Sequence, residues 1–260
     1  MDNTWLRGHV SIITGGSAGI GRATAEQLVQ AGATVAIVGR DRDRLQQTAD
    51  SLQATVRGCT VMTWAADIGQ AADMTQMADQ ILARYGRIDS LIAAAGILRP
   101  SGGVVRTLQQ MSVREWDEVV DTNLKGVFLS NRAVLPAMIR QGSGQIINIS
   151  STSGRRGYAF DAAYCASKFG TIGLSEALAE EVRDAGVRVQ VLLPGAIATP
   201  IWQQNGPIPR PENLVSVEEV ARLILYLVML PPDTVCLETT IEPLRSQSRP
   251  SWMQAIRGSA

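Results

Sequence analysis

One stretch near the N-terminus decides the fold, and it reads Val10-Ser11-Ile12-Ile13-Thr14-Gly15-Gly16-Ser17-Ala18-Gly19-Ile20-Gly21. Its first four residues form a short, mainly apolar run that predicts a buried strand, and residues 22–31 carry apolar side chains at helical spacing. A strand, a glycine-rich turn and a helix in this order indicate a phosphate site, because glycines let the backbone approach a pyrophosphate and a helix N-terminus offers free N–H groups. The spacing is G-x-x-x-G-x-G, and for this stretch alone a tight structural turn is the alternative.

Outward from this stretch, short apolar runs alternate with longer helical patterns along the chain. Further strands are predicted at residues 35–38, 61–65, 90–94, 145–149, 187–193 and 235–241. Helices are predicted at residues 41–54, 73–85, 113–139, 162–183 and 217–229. The alternation is typical of parallel βαβ units, so we expect an α/β fold with a seven-stranded parallel sheet and helices on both faces. We expect one domain over residues 1–260, in which residues 243–260 form an ordered arm or a frayed end.

The composition argues against several classes of protein. Of 260 residues, 45% are apolar, and 24 basic residues balance 24 acidic ones with no run of five like charges. We therefore expect neither a nucleic-acid arm nor a membrane span, for which about 18 consecutive apolar residues would be needed. Residues 1–4 lack a basic side chain, so we expect no signal peptide and a cytoplasmic protein. Cys59, Cys165 and Cys236 are too scattered for a disulfide framework, and a lone His9 argues against a metal site or a Ser–His hydrolase.

Most candidate functional residues follow directly after predicted strands. The glycine turn follows the first strand, and the next five strands are followed by Arg40, Asp67, Ala95-Gly96, Ser151 and Pro194-Gly195. Ligands of open α/β sheets bind outside the carboxyl ends of the strands, so one edge of the sheet would collect all of these residues. A set of unrelated structural turns would not need this arrangement.

Tyr164 and Lys168 are four residues apart in a predicted helix and therefore lie on one face of it. Only two of the 24 basic residues are lysines, so arginine fills the general surface role in this chain. An ammonium beside a phenol favours the phenolate, so we expect Lys168 to lower the pKa of Tyr164 and to let it transfer a proton near neutral pH. Taken alone, the pair could also be two exposed side chains of an ordinary helix.

Together these motifs resemble those of the classical short-chain dehydrogenase/reductase family. The matching residues are Thr14-Gly15-x-x-x-Gly19-Ile20-Gly21, Asp67, Ala93-Ala94-Ala95-Gly96, Asn123, Ser151, Tyr164-x-x-x-Lys168, Pro194-Gly195 and Thr199. The resemblance covers about residues 8–242. It implies a Rossmann-like, doubly wound fold that binds NAD or NADP and transfers a hydride between the nicotinamide and a carbonyl or alcohol carbon.

The resemblance assigns roles at the reacting end of the site. Tyr164 would donate the proton, Ser151 would hydrogen-bond the substrate oxygen, and Lys168 would also bind the nicotinamide ribose. Asn123 would help hold a water that links the lysine to solvent, and without the resemblance it would be a polar break in a long helix. Ser150 is the rival of Ser151, but the family's spacing between serine and tyrosine favours Ser151.

By resemblance, the cofactor contacts extend along the whole sheet edge. They comprise Thr14, Gly15, Ser17, Gly19, Ile20 and Gly21 at the pyrophosphate, Asp67 and Ile68 at the adenine, Ala95, Gly96 and Asn123 along the ribose, Tyr164 and Lys168 beside the nicotinamide, and Pro194, Gly195, Ile197 and Thr199 at the carboxamide. Asp67 could instead cap the helix that follows it.

The end of the second predicted strand bears on the choice between NAD and NADP. An acid there would bind the ribose 2′-hydroxyl, whereas an arginine would bind a 2′-phosphate. The chain has Gly39 where NAD-preferring members of the family have an acid, and Arg40 follows, so we expect a preference for NADP(H). Asp41 is the competing residue for the hydroxyl, while Arg42 and Arg44 are either helpers or part of an exposed helix face.

We expect NADPH-dependent reduction of a small ketone or 3-oxo compound. The alternatives are an NAD-dependent alcohol or hydroxy-acid dehydrogenase, and a non-catalytic binding or scaffold protein with the same fold. Trp202 and residues 203–205 are expected to form a small lid over the substrate, and Leu98, Arg155, Tyr158 and Phe160 are further candidates for its pocket. Because the family commonly forms tetramers through the helices that hold Asn123 and Tyr164, we also expect a homotetramer or homodimer.

Overall fold

Seven parallel strands form one sheet in the computed structural model, which describes residues 5–100 and 104–244. The strands are β1 (Val10–Thr14), β2 (Thr34–Gly39), β3 (Val61–Ala65), β4 (Ser90–Ala93), β5 (Gly144–Ile149), β6 (Val187–Pro194) and β7 (Glu238–Ile241). Their spatial order is β3-β2-β1-β4-β5-β6-β7. The chain reverses its direction of winding between β1 and β4, and open α/β sheets bind ligands in the crevice at such a point.

The connections between the strands are mostly helical. The α-helices are α1 (Gly19–Gln30), α2 (Arg42–Thr55), α3 (Ala71–Tyr85), α4 (Val113–Val120), α5 (Gly126–Gln141), α6 (Ala162–Val182) and α7 (Val217–Val228). A π-helical segment, Asp121–Lys125, joins α4 directly to α5. Single turns of 3-10 helix occur at Thr152–Gly154, Arg183–Ala185 and Pro200–Gln204.

Local sequence accounts for several helix ends. Ser112 and Glu115 form a reciprocal capping box at the start of α4, in which each side chain binds the other residue's backbone N–H. Helices α3 and α5 end at Gly86 and Gly142, which adopt the left-handed conformation that glycine tolerates best. These signals fix where each helix starts and stops, and so which residues reach the sheet edge.

Helices cover both faces of the sheet and bury them. On one face, α3, α5 and α6 contribute apolar side chains that include Met74, Met77, Val134, Met138 and Leu178. On the other face, α1, α2 and α7 contribute Leu28, Leu45, Val220, Ile224 and Leu227. This is the predicted doubly wound α/β sandwich, and it leaves the carboxyl ends of the strands as the place where a ligand can enter.

The predicted elements are confirmed, with differences at their ends. The helix predicted over residues 113–139 contains the π-helical segment, and the last strand starts at Glu238 and not at residue 235. Of the arm expected over residues 243–260, all but the first two residues lie outside the described part. No helix within the described ranges is long and apolar enough to cross a membrane. In the same ranges, no cluster of His, Cys, Asp or Glu could hold a metal ion.

Candidate active site

The turn after β1 depends on its glycines. Gly15 and Gly19 have φ angles of +68° and +49°, which side chains disfavour. A Cβ on Gly15 would lie 2.8 Å from Cα of Ala95, and one on Gly21 would overlap the carbonyl oxygen of Gly15. Ala18 is the N-cap of α1, so no side chain binds the N–H groups of the helix's first turn. Those groups are available to an anion, as the sequence predicted for a phosphate.

Thr14 supports this turn from below. Its side chain is buried, and its Oγ1 accepts a hydrogen bond of 3.3 Å from the backbone N–H of Ala95. The bond ties the end of β1 to the turn after β4 across the point where the sheet's winding reverses. Thr14 therefore shapes the site from behind, and it is not among the residues that line the cleft described below.

Two arginines border the site at the end of β2. Arg40 and Arg44 are both exposed and both line the cleft, whereas Arg42 does not line it. Neither Arg40 nor Arg44 forms an ion pair with any described residue. Asp41 is the N-cap of α2, and its Oδ1 accepts a hydrogen bond of 3.0 Å from the backbone N–H of Arg44. One carboxylate oxygen of Asp41 is thus already engaged, while both guanidinium groups remain free for a ligand.

Asp67 and Ile68 stand at the end of β3 and line the same cleft. The Oδ1 of Asp67 accepts a hydrogen bond of 2.9 Å from the backbone N–H of Gly69, which makes a local turn. The N-cap of α3 is Gln70, so the alternative interpretation of Asp67 as a helix cap is wrong.

Gly96, after β4, gives close access to the reacting end of the cleft. A Cβ at this position would lie 3.2 Å from Oδ1 of Asn123 and 3.6 Å from Nζ of Lys168. Ala95 and Gly96 both line the cleft. A larger residue than glycine would therefore press against the very side chains that the sequence identified as functional.

Ser151, Tyr164 and Lys168 come together at the reacting end. Lys168 is only 4% exposed, its Nζ donates a hydrogen bond of 2.9 Å to the carbonyl oxygen of Ile149, and it lies 5.6 Å from the centroid of the Tyr164 ring. Ser151 is hydrogen-bonded to the side chain of Tyr164. The Oγ of Ser151 also accepts a hydrogen bond of 3.1 Å from the backbone N–H of Ser153. The three side chains that the motif predicted thus share one wall of the cleft.

The pKa of Tyr164 differs from the sequence-based expectation. Burial raises it to about 12, and the hydrogen bond with Ser151 opposes this only in part. The expectation of a lowered pKa for Tyr164 is therefore wrong, because the effect of burial exceeds that of the groups that favour the phenolate. Burial also lowers the pKa of Lys168 itself to about 8, so the ammonium is charged at neutral pH.

Asn123 lies in the π-helical segment and is fully buried. Its Nδ2 donates to the carbonyl oxygen of Ile97 and its Oδ1 accepts from the N–H of Ile97, both at 2.8 Å. Nδ2 also contacts Oγ of Ser167 at 3.2 Å. The side chain therefore braces the loop after β4 and does not line the cleft. π-Helical turns inside α-helices are frequent at functional sites, so the backbone distortion at Asn123 is itself a functional signal.

Ser150 is the rival serine, and its hydroxyl is engaged elsewhere. Its Oγ donates a hydrogen bond of 2.9 Å to the backbone carbonyl of Lys168, and its side chain is buried. Ser150 thus fixes β5 against α6, while Ser151 remains next to Tyr164. This geometry favours the assignment of Ser151 over Ser150.

The segment after β6 closes over the site. Pro194, Gly195, Ile197 and Thr199 all line the cleft. A Cβ on Gly19 would lie 3.3 Å from Cγ2 of Thr199, so this segment approaches the glycine turn directly. The short 3-10 helix that follows is anchored by Trp202, whose Nε1 donates a hydrogen bond of 2.6 Å to the carbonyl oxygen of Ile197.

Most of these groups border one cleft of about 680 Å³. Of the residues predicted from the sequence, those that line it are Gly15, Ser17, Gly19, Ile20, Arg40, Asp67, Ile68, Ala95, Gly96, Ser151, Tyr164, Lys168, Pro194, Gly195, Ile197 and Thr199. Thr14, Gly21 and Asn123 lie behind its wall. The cleft runs from the glycine turn to Tyr164, so its residues fit a dinucleotide along the sheet edge with room for a substrate at one end.

Sequence reasoning missed a buried arginine beside the substrate end. Arg99 is 5% exposed, and its guanidinium forms an ion pair with Asp161. Its Nη1 also donates a hydrogen bond of 2.8 Å to Oδ1 of Asn205. The position of Asp161 three residues before Tyr164 was visible in the sequence, but nothing in the pattern identified Arg99 as its partner.

Two candidates for the substrate pocket were wrong. Arg155 is on the surface, where it pairs with Glu176 and Glu238, and Phe160 faces a separate small cavity. Leu98, Tyr158, Trp202 and residues 203–205 do line the cleft, as expected.

Comparison with known proteins places this site in a family. The family model described as short chain dehydrogenase matches residues 9–208. Together with the parallel sheet and the Ser151, Tyr164 and Lys168 constellation, this match shows that the chain belongs to the classical short-chain dehydrogenase/reductase family. Members are oxidoreductases that act on CH–OH or C=O groups with NAD or NADP, and this chain is such an enzyme.

Characterised relatives include two named reductases. The chain is 35% identical over 232 residues to the 3-oxoacyl-(acyl-carrier-protein) reductase FabG of Thermotoga maritima, covering 85% of this chain and 91% of the relative. It is 35% identical over 205 residues to the levodione reductase of Leifsonia aquatica, covering 79% and 75% of the two chains.

Solved structures of the family share the fold closely. A crystal structure of levodione reductase matches with a TM-score of 0.83 at 29% identity, covering 90% of this chain and 96% of that one. A metagenomic short-chain oxidoreductase in complex with NADP matches with a TM-score of 0.79 at 32% identity, covering 93% of this chain and 100% of that one.

Proposed function

We propose that the protein reduces a small ketone or 3-oxo compound to the alcohol, with NADPH as the preferred cofactor. The observation that carries this proposal is the cleft itself, which joins Ser151, Tyr164 and Lys168 to two arginines. These are Arg40 after β2 and Arg44 in the first turn of α2, neither of which pairs with a described residue. NADPH matches that arrangement, because it carries a 2′-phosphate at one end and the reacting nicotinamide ring at the other. Two of the relatives are named as reductases, which supports the reductive direction.

The residues at the reacting end divide the chemistry between them. When bound, a nicotinamide cofactor supplies or accepts the hydride. Ser151 holds the substrate oxygen by a hydrogen bond, and Tyr164 gives its phenolic proton to that oxygen as negative charge develops on it. With a pKa of about 12, Tyr164 keeps its proton at neutral pH and is in the right state to act as an acid.

Lys168 balances the charge that this step leaves behind. Once Tyr164 has given up its proton, the phenolate lies beside an ammonium whose Nζ is 5.6 Å from the ring centroid. The attraction between opposite charges in a buried place favours the phenolate. Asn123 acts indirectly, because it holds Ile97 and so the loop that carries Ala95 and Gly96.

The two kinds of phosphate in the cofactor would bind different groups: the pyrophosphate would bind backbone N–H groups, and the 2′-phosphate would bind arginine side chains. The first turn of α1 offers N–H groups to the pyrophosphate. Arg40 and Arg44 offer planar, permanently charged donors to a 2′-phosphate. The cap formed by Asp41 on α2 ties up one carboxylate oxygen, which leaves it less able to bind a ribose hydroxyl.

Fluorescence titration of NADPH and NADH against the purified protein tests this assignment. We expect NADPH to bind more tightly, and Arg40→Ala to weaken NADPH binding about tenfold or more while leaving NADH binding unchanged, since hydrogen bonds to charged groups contribute about 1.5–3 kcal/mol. Arg42→Ala is the matched control, because Arg42 is two residues away, is also exposed and does not line the cleft.

Two outcomes would contradict the proposal. Equal or tighter binding of NADH would mean that Asp41 reads the ribose, and the enzyme would then be an NAD-dependent dehydrogenase of alcohols or hydroxy acids. Absence of binding by either nucleotide would favour a non-catalytic protein with the family's fold.

We also infer three broader properties. The chain forms one domain, which is supported by a cleft whose walls come from both halves of the sheet. It works in a reducing compartment such as the cytoplasm, since its three cysteines are free. It assembles as a homotetramer or homodimer through the surface of α4, α5 and α6, for which the exposed apolar side chains Phe128 and Phe169 are the support.

A further inference from the structure

The substrate end of the cleft is held together by one buried guanidinium. Arg99 lies in the loop after β4, and its guanidinium binds two other segments, the lid after β6 and the start of α6. It pairs with Asp161, donates to Oδ1 of Asn205 at 2.8 Å and lies 3.4 Å from the carbonyl oxygen of Gln204. The side chain of Gln204 in turn accepts a hydrogen bond of 2.8 Å from the backbone N–H of Leu98.

Asp161 is the charged member of this network that lines the cleft. It lies three residues before Tyr164 and lines the cleft with it, whereas Arg99 does not line the cleft. Its side chain is 20% exposed, compared with 5% for Arg99. Only Oδ1 of Asp161 has a hydrogen-bond partner among the described residues, and that partner is Arg99. Burial raises the pKa of Asp161, and the ion pair with Arg99, which favours the ionised carboxylate, opposes that rise in part.

We propose that Asp161 is a specificity residue that accepts a hydrogen bond from a hydroxyl or ammonium group at the far end of the substrate and rejects substrates that carry a carboxylate there. This inference rests on the proposed function. Because Arg99 holds one oxygen of the carboxylate, the other offers only an acceptor to whatever lies beside Tyr164. An acceptor and a negative charge at this place attract a donor and repel an anion.

The charges around Asp161 determine how strong the discrimination is. Arg99 is the only cation paired with it among the described residues, and Arg99 does not line the cleft but borders a second, small cavity together with Asp161 and Tyr164. A substrate carboxylate would therefore meet Asp161 before it could reach Arg99. Leaving such a pair of like charges together in a partly buried site is costly, whereas a hydroxyl in the same place gains a charge-assisted hydrogen bond.

Three methyl ketones of nearly equal size provide the test. They are 2-pentanone, 4-hydroxy-2-butanone and acetoacetate, which end in a methyl, a hydroxyl and a carboxylate group, respectively. For the wild type with NADPH, we expect kcat/KM to be highest for hydroxybutanone and lowest for acetoacetate. In Asp161→Asn, which keeps the shape and an acceptor for Arg99, we expect the ratio of kcat/KM for acetoacetate to that for pentanone to rise about tenfold or more. The change should appear mainly in KM.

Controls separate specificity from stability. The ratio compares two substrates on the same preparation, so partial loss of folded protein cancels. Asp161→Ser is a second variant that also removes the charge and keeps a residue suited to the N-cap of α6. Glu180→Gln removes a carboxylate from the exposed side of the same helix, where it pairs with Arg183, and it should leave the ratio unchanged.

The outcomes are distinguishable. If the wild type reduces these ketones but neither Asp161 variant changes the ratio, the role of Asp161 is overturned and the reductase proposal stands. If Glu180→Gln raises the ratio as much as Asp161→Asn, the effect is one of net charge and the inference is again overturned. If the wild type reduces none of the three with NADPH or NADH, the proposed function fails and the inference fails with it.

Discussion

Burial around Tyr164 favours the protonated form of its side chain. With its pKa raised to about 12, the phenol is an acid that holds its proton until an alkoxide forms beside it. A reduction needs this state at the outset, whereas an alcohol oxidation needs the phenolate. The positive charge of Lys168 becomes important only as the proton leaves, which is when stabilisation of the transition state has its effect.

Replacement of Tyr164 by phenylalanine tests this role. The ring and its packing remain, and only the hydroxyl that contacts Ser151 is lost. We expect kcat for ketone reduction to fall about 10²- to 10⁴-fold, the usual contribution of a positioned acid. NADPH affinity and melting temperature should change little, so titration and calorimetry on the same sample serve as controls. Retention of more than a tenth of the wild-type kcat would contradict the assignment.

The pKa of Lys168 predicts how the reaction depends on pH. Burial lowers it to about 8, so the ammonium that supports the phenolate is present below pH 8 and is lost as the pH rises further. We therefore expect kcat for reduction to be constant at neutral pH and to fall above about pH 8. In Lys168→Arg the charge persists, since arginine stays protonated in proteins, and the fall should move to higher pH. A rate that increases through pH 8 would contradict this account.

At the scale of elements, the turn between β1 and α1 is so tightly packed that one of its glycines cannot carry a side chain. Gly21 sits in the first turn of α1 with its Cα against the backbone of Gly15, so a methyl group there would overlap a carbonyl oxygen. Relief requires the turn to move, and the turn carries the N–H groups that would bind a pyrophosphate.

Gly21→Ala should therefore affect both stability and cofactor binding. We expect the free energy of unfolding to fall by about 1–3 kcal/mol, the typical cost of overpacking, and NADPH affinity to fall with it. Gly157→Ala is the matched control, because a Cβ there meets nothing within 4 Å and its φ is not in the left-handed region. Denaturant unfolding and NADPH titration measure both effects, and equal results for the two variants would refute the explanation.

Sequence periodicity predicted the elements well and their irregularities poorly. The strands could be predicted from apolar runs and the turn after β1 from its glycines, because both signals lie in a few consecutive residues. The apolar spacing predicts ordinary helix at Asp121–Lys125, where the structure has a π-helical segment, because one extra residue in a turn leaves that spacing almost unchanged. Burial of Tyr164 and the pairing of Arg99 with Asp161 depend on segments far apart in the chain, so no local pattern could reveal them.

At the scale of the whole molecule, the sheet's topology brings the functional residues together. Because the winding reverses between β1 and β4, the loops after these strands separate and open a crevice at the sheet's carboxyl edge. The glycine turn, Arg40 and Asp67 come from one side of that point, and Ser151 and the lid come from the other. The cofactor would therefore span both halves of the sheet.

Helices α4, α5 and α6 carry an apolar surface that none of the described residues covers. Phe128 on α5 and Phe169 on α6 are 44% and 45% exposed, and Val113 at the start of α4 is 76% exposed. A Cβ on Gly173 would meet nothing within 4 Å, so this stretch of α6 could be approached closely by another helix. Exposed apolar side chains grouped on adjacent helices are typical of an interface.

Phe169→Glu tests whether this surface holds the oligomer together. An aromatic anchor at the centre of an interface commonly contributes about 2 kcal/mol or more, and a buried carboxylate in its place adds a desolvation cost. We expect analytical ultracentrifugation to find the wild type as a tetramer or dimer and the variant as smaller species at the same concentration. Tyr226→Glu is the control, since Tyr226 is a 61% exposed aromatic residue on α7, away from this surface. If Phe169→Glu leaves the wild-type assembly intact, or if Tyr226→Glu dissociates it equally, the interface lies elsewhere, because a charge at the centre of a packed apolar contact cannot be accommodated without separating the helices.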